Sequence, residues 1–143
     1  MVSASRILRV ILSGAAAGFL TLGWGGRLAM AGFSHFTGRP SVWTLGGSLS
    51  VAFSGAIAGA VAAILYLLIG RWFLPRAPAI IRGLAFGALT LLVLSPGIRP
   101  PSPLTFALFA PTFLLYGVVF VAMVLRFQKR EPAPMAQANA EVL

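Results

Sequence analysis

Uncharged, mainly apolar stretches run from Val10 to Gly26, Pro40 to Gly70, Gly83 to Ile98 and Pro100 to Leu125. A helix crosses roughly 30 Å of hydrocarbon with about 20 residues, so the pattern predicts four membrane-spanning helices. Leu28-Ala29-Met30-Ala31 keeps the first helix apolar beyond Arg27, to about Phe33. Pro40 cannot sit inside a helix, which leaves a loop from Ser34 to Thr44. The second helix spans Leu45 to Ile69, with Gly70-Arg71-Trp72 at its exit. The third stretch is short. It reaches the required length by borrowing Ala79-Ile80-Ile81 and letting Arg82 snorkel, and Pro96-Gly97 ends it. The fourth starts near Leu104, after Pro100, Pro101 and Pro103, and Pro111 should kink it. The expected fold is an all-α, polytopic membrane domain over residues 1–127, with spans at about 8–33, 45–69, 79–98 and 104–126. A short disordered cytoplasmic tail, 128–143, follows.

Composition supports this class. Of 143 residues 59% are hydrophobic, mean hydropathy is +0.95, and charged residues make up 9%, against about 25% in soluble domains. The chain has no Cys or Asp and one His, His35; its two carboxylates, Glu131 and Glu141, lie in the last thirteen residues. A carboxylate pair, a Ser-His-Asp relay, a thiolate nucleophile and the common zinc and magnesium sites all lack their parts, so neither an enzyme nor a cofactor or metal is expected.

The net charge of +9 is unevenly distributed. Arg6, Arg9, Arg71, Arg76, Arg82, Arg126, Lys129 and Arg130 fall on one side of the four-span topology, and Arg27, Arg39 and Arg99 on the other. The positive-inside rule places both termini in the cytoplasm of a bacterial cell, with the chain multi-pass in the inner membrane. Aromatic residues follow the same boundaries: Trp72, Phe73 and Phe127 at the inner one; Trp24, Phe33, Phe36 and Trp43 at the outer one. Anchoring to anionic headgroups accounts for the basic charge without nucleic acid. Arg6 and Arg9 before an apolar run, with Ala29-Met30-Ala31 beyond, also fit a signal peptide, but the 17-residue run is longer than the usual 7 to 15 and favours a retained span.

Self-comparison aligns Ile11–Leu22 with Ile80–Leu91 at an offset of 69, with seven of twelve positions identical. The following helices align more weakly at an offset of 55, which pairs Leu49-Ser50 with Leu104-Thr105 and Arg71-Trp72 with Arg126-Phe127. Two parallel helical hairpins, or coincidence in a Gly/Ala/Leu-rich alphabet, both produce this pattern. Gly14 and Gly18, Gly55 and Gly59, and Gly83 and Gly87 are small-xxx-small pairs that let helix backbones approach. The fourth helix carries Phe106, Phe109, Phe113, Tyr116 and Phe120, a bulky face expected to meet lipid or a partner. The expected partners are the lipid bilayer and, through these helix faces, a second copy of the chain or another membrane protein.

Arg27 is the one charge inside an apolar run. It lies about 27 Å along a helix from Arg9, near the outer headgroups, where it serves as an anchor or contacts an anion or lipid headgroup. Ser50, Ser54, Thr21 and Thr90 are candidates for a polar path for a small anion or neutral solute; the alternative is that each hydroxyl bonds its own or a neighbouring helix. His35, in the outer loop, is expected to be solvated.

Gly25-Gly26-Arg27-Leu28-Ala29-Met30, Thr44-Leu45-Gly46-Gly47, Leu65-Tyr66, Arg82-Gly83-Leu84-Ala85-Phe86-Gly87 and Leu115-Tyr116-Gly117 resemble a group of uncharacterised small four-span bacterial membrane proteins. That resemblance implies topology and no activity. Gly25-Gly26-Arg27 is also loosely similar to the first helix of small four-span fluoride channels. Gly46-Gly47-Ser48-Leu49-Ser50 and Gly87-Ala88-Leu89-Thr90-Leu91 depart from the channel segments, so no pore residue carries over. The leading expectation is a non-enzymatic helix-packing accessory or self-assembling component; the alternative is a small channel or transporter.

Because the chain has no cysteine, single-cysteine labelling can test its orientation. An impermeant maleimide should label Thr37→Cys in intact cells and Ala136→Cys only after permeabilisation; the reverse pattern would invert the topology.

Overall fold

The computed structural model describes residues 4–40, 43–69, 76–97 and 102–130. Its four long helices are α1, Ala4–Thr37; α2, Leu45–Ile69; α3, Ala79–Leu94, which runs into a 3₁₀ turn at Ser95–Gly97; and α4, Pro103–Arg130. Each is long and apolar enough to cross a membrane, and no strand occurs among the described residues.

Local chemistry explains where the ends differ from expectation. Helix α1 continues through Ser34 and His35 to Thr37 because Gly38 supplies the left-handed residue that closes it, at φ 67°. The Arg39 amide then donates to the Ser34 carbonyl at 2.9 Å. His35 is therefore exposed on the last helical turn rather than in a loop. Helix α4 begins one residue early, with Pro103 in its first turn and the Ser102 hydroxyl accepting from the Thr105 amide at 3.1 Å. It continues through exposed Pro111 to Arg130, so the proposed tail begins in helix, and residues 131–143 lie outside the described residues.

Helices α1 and α2 pack antiparallel at backbone contact. A Cβ added at Gly18 would collide with the Gly55 carbonyl and lie 2.8 Å from Gly59 Cα. One added at Gly14 would meet the Gly59 carbonyl and Ala63 Cβ. Gly23 continues the same seam against Ala52, although it follows Gly18 by five residues where Gly18 follows Gly14 by four. Five residues of α-helix would rotate Gly23 about 140° from Gly18. A π-helical segment at Phe19–Gly23 absorbs the extra residue and returns Gly23 to the α2 face.

Helices α3 and α4 repeat the arrangement. Added Cβ atoms at Gly83 and Gly87 would press on Val118 Cα, at 2.5 Å, and Leu114 Cα, at 2.8 Å. The offsets of 69 and 55 carry Gly14–Ala63 onto Gly83–Val118, and Gly18–Gly59 onto Gly87–Leu114. Both hairpins thus use the same contact register. Thr21 and Thr90, which correspond under the same offset, are both buried and donate to the carbonyls of Ala17 and Phe86, four residues back.

The two hairpins meet on aromatic rings. Phe113, Tyr116 and Phe120 on α4 are buried, which corrects the expectation that this face meets lipid or a partner. Tyr66 packs edge-on against Phe86 and Phe120, each at 5.2 Å between centroids, and Tyr116 stacks on Phe120 at 5.7 Å. The physical reason lies opposite the rings: Gly83, Gly87 and Gly117 bring α3 and α4 so close that large side chains beside their seam must fill the centre. The outward face of α2 is apolar and mainly aliphatic, with Ile57, Val61, Ile64 and Leu68 exposed beside Phe53.

Replacing Gly18 with Leu should lower stability by about 1–3 kcal/mol or more, because backbone rather than a flexible side chain blocks the new atoms. Gly46→Ala, with nothing within 4 Å of the added Cβ, should be neutral or stabilising by up to about 1 kcal/mol. Thermal unfolding in detergent checks both.

Candidate functional site

Arg27 lies where α1 passes the first turn of α2. Its Nε donates to Ser48 Oγ at 3.2 Å, and its guanidinium carbon sits 5.0 Å from the centroid of the Trp43 ring. The start of α2 is organised by Thr44, whose side-chain oxygen accepts from the Gly47 amide at 3.1 Å. The Thr44 carbonyl accepts from the Ser48 hydroxyl at 2.9 Å. This leaves the Ser48 oxygen lone pairs facing Arg27. Gly47 matters sterically, since an added Cβ would lie 2.9 Å from Thr44 Oγ1 and 3.7 Å from an Arg27 terminal nitrogen.

The guanidinium also stands at the positive end of the α2 dipole, an unfavourable location for a cation. The Trp43 ring face and the Ser48 acceptor offset that cost, and an anion brought to the same point would benefit from both the guanidinium and the helix end. Arg27 is half-buried. Helix α1 is about 51 Å long and extends roughly 20 Å past one hydrocarbon thickness. The level of Arg27 is set by Ser48, in the first turn of α2, which is the headgroup end of that span.

The four candidate path hydroxyls occupy different environments. Ser50 and Ser54 are exposed on α2, and Ser54 donates to the Ser50 carbonyl at 2.9 Å. Thr21 and Thr90 are buried in separate hairpins and donate to their own helices at 2.7 and 2.8 Å. Gly14, Gly18, Gly55, Gly59, Gly83 and Gly87 are all buried, each against the backbone of a neighbouring helix.

Comparison with protein-family models, with curated proteins and with solved structures gives no match. The fold and its polar contacts therefore carry the functional argument.

Two contributors escape a reading of sequence pattern. Trp43, expected only as an interfacial aromatic, is the ring under Arg27. Tyr116 is fully buried and donates its hydroxyl to the Gly59 carbonyl at 2.9 Å, a bond that joins the second hairpin to the glycine seam of the first. The available signal was that a tyrosine inside a span must find an acceptor.

Tyr116→Phe should therefore cost about 0.6–1.5 kcal/mol, whereas Tyr116→Ala should cost about 3–5 kcal/mol by emptying the aromatic centre. Arg27→Ala should cost about 1 kcal/mol, with Arg27→Lys recovering only part of it because an ammonium lacks the planar fork. Melting of all four variants beside the parent chain gives the comparison.

Proposed function

We propose that the protein is a non-enzymatic, multi-pass component of a bacterial inner membrane, with both termini cytoplasmic, that works by helix packing as an accessory or self-assembling subunit. One observation carries this reading: the bundle axis is filled by Tyr66, Phe86, Tyr116 and Phe120. Buried Thr21 and Thr90 spend their hydroxyls on their own helices, so neither is free to line a polar route. On the outside, Gly46, Ser50 and Ser54 are exposed at four-residue spacing on α2. This is a small-residue face not used inside the chain, and in a bilayer such a face favours close approach of another helix.

The competing reading, a small channel or transporter for an anion or neutral solute, draws on Ser50 and Ser54 together with Arg27. It requires several copies to enclose that serine face.

Reconstituted liposomes distinguish the two readings. The packing role predicts no halide or small-cation flux above that of empty vesicles, and recovery in mild detergent as a defined oligomer or with fixed partners. It also predicts that Ser50→Leu with Ser54→Leu dissociates that assembly while leaving the monomer folded. Selective flux that disappears in Arg27→Ala would replace this reading with the transport one.

A further inference from the structure

The repeat makes two seams equivalent, α1 against α4 and α2 against α3, yet they are built differently. Glycines close the first: an added Cβ at Gly25 would lie 2.6 Å from Thr112 Cγ2, and one at Gly32 would lie 3.4 Å from Leu108. Beyond the extra residue of the π segment, the residue of the second seam that falls level with Gly25 is Val93, and the one corresponding to Thr112 is Ile57. Two branched side chains replace the glycine–threonine contact, and the helices stand apart. A cleft of about 230 Å³ opens between them, lined by Val61, Leu65, Leu68, Thr90, Val93 and Leu94 among others.

Two features describe what fits this cleft. Its lining is apolar except for Thr90, whose hydroxyl is already committed to the Phe86 carbonyl, and exposed Val61, Leu68 and Val93 put its mouth on the outer surface of the bundle. Within a membrane span that mouth faces hydrocarbon. The second feature is Arg82, which precedes Val93 by eleven residues, three helical turns, and so lies on the same face about 16 Å toward the start of α3. Among the described residues, Arg82 Nε is the buried side-chain nitrogen or oxygen without a hydrogen-bond partner. A buried donor left unpaired is costly, and no described residue is a carboxylate that could neutralise the guanidinium.

We propose that the α2–α3 seam is a phospholipid site, with an acyl chain in the cleft and an anionic headgroup phosphate on Arg82. The phosphate supplies a counter-ion for the half-buried Arg82 guanidinium, and the hydrocarbon chain fills the cleft beside Val93 and Leu94. Basic pockets between spans are suited to anionic headgroups, and long arginine side chains reach the headgroup level from within a span. The site is independent of the packing role: it needs only the four-span fold and survives if that role fails.

Native mass spectrometry of the full-length protein in mild detergent, titrated with phosphatidylglycerol or phosphatidylcholine, tests it. One phosphatidylglycerol should be retained in preference to phosphatidylcholine. Arg82→Gln should weaken that retention about fivefold, the factor one arginine contributes near an anionic surface. Arg76→Gln, at an exposed position on the same end, should leave it unchanged. Val93→Trp, which fills the cleft from an exposed position, should lower retention of both lipids with an unchanged melting temperature. Equal losses in the two arginine variants would overturn the proposal, as would indifference to Val93→Trp or saturation by inorganic phosphate alone. A second copy of the chain in place of lipid would overturn it too.

Discussion

Backbone-to-backbone contact at glycine organises this protein. In a bilayer, apolar side chains gain no hydrophobic free energy by meeting each other instead of lipid tails, so helices associate through dispersion at short range and a few hydrogen bonds. The Gly14–Gly18–Gly23 row against Ala63, Gly59, Gly55 and Ala52 provides that short range in one hairpin. Gly83, Gly87 and Gly117 provide it in the other. The position of the aromatic centre, the level of Arg27 relative to α2 and the difference between the two interhairpin seams all follow from where these close approaches occur.

The π segment shows how strictly the constraint operates. A five-residue interval between Gly18 and Gly23 would break the row in a regular helix, and the backbone changes its winding instead of its contact. The same logic explains α4. Its aromatic residues look like a lipid-facing surface when their helix is considered alone. With Gly117 set against Gly83 and Gly87, the rings beside that seam turn inward and carry the contact between hairpins, reinforced by the Tyr116 bond to the Gly59 carbonyl.

Polar groups follow a complementary economy. Thr21, Thr90, Ser13 and Ser54 return their hydroxyls to carbonyls four residues earlier, so the spans carry few polar atoms that need one another. Arg27 and Arg82 differ because a guanidinium has five donors and cannot lose its charge. Each lies toward an end of its span, near the depth where headgroups begin. One is held over Trp43 and Ser48; the other is half-buried, with its Nε lacking a hydrogen-bond partner.

The residue pattern alone determined the four spans, because length and hydropathy answer directly to the thickness of hydrocarbon, and the bounds of α2 agree to the residue. It also determined the small-residue rows and the isolation of Arg27, both visible as spacing and composition. Helix ends were missed where a cap went unrecognised: the Gly38 turn and the Ser102 cap moved the ends of α1 and α4. Tertiary structure alone decided which face of α4 is buried, which ring lies under Arg27, and that one of two equivalent seams closes while the other opens. Those outcomes depend on the distance between backbones, which is set jointly by residues far apart in the chain.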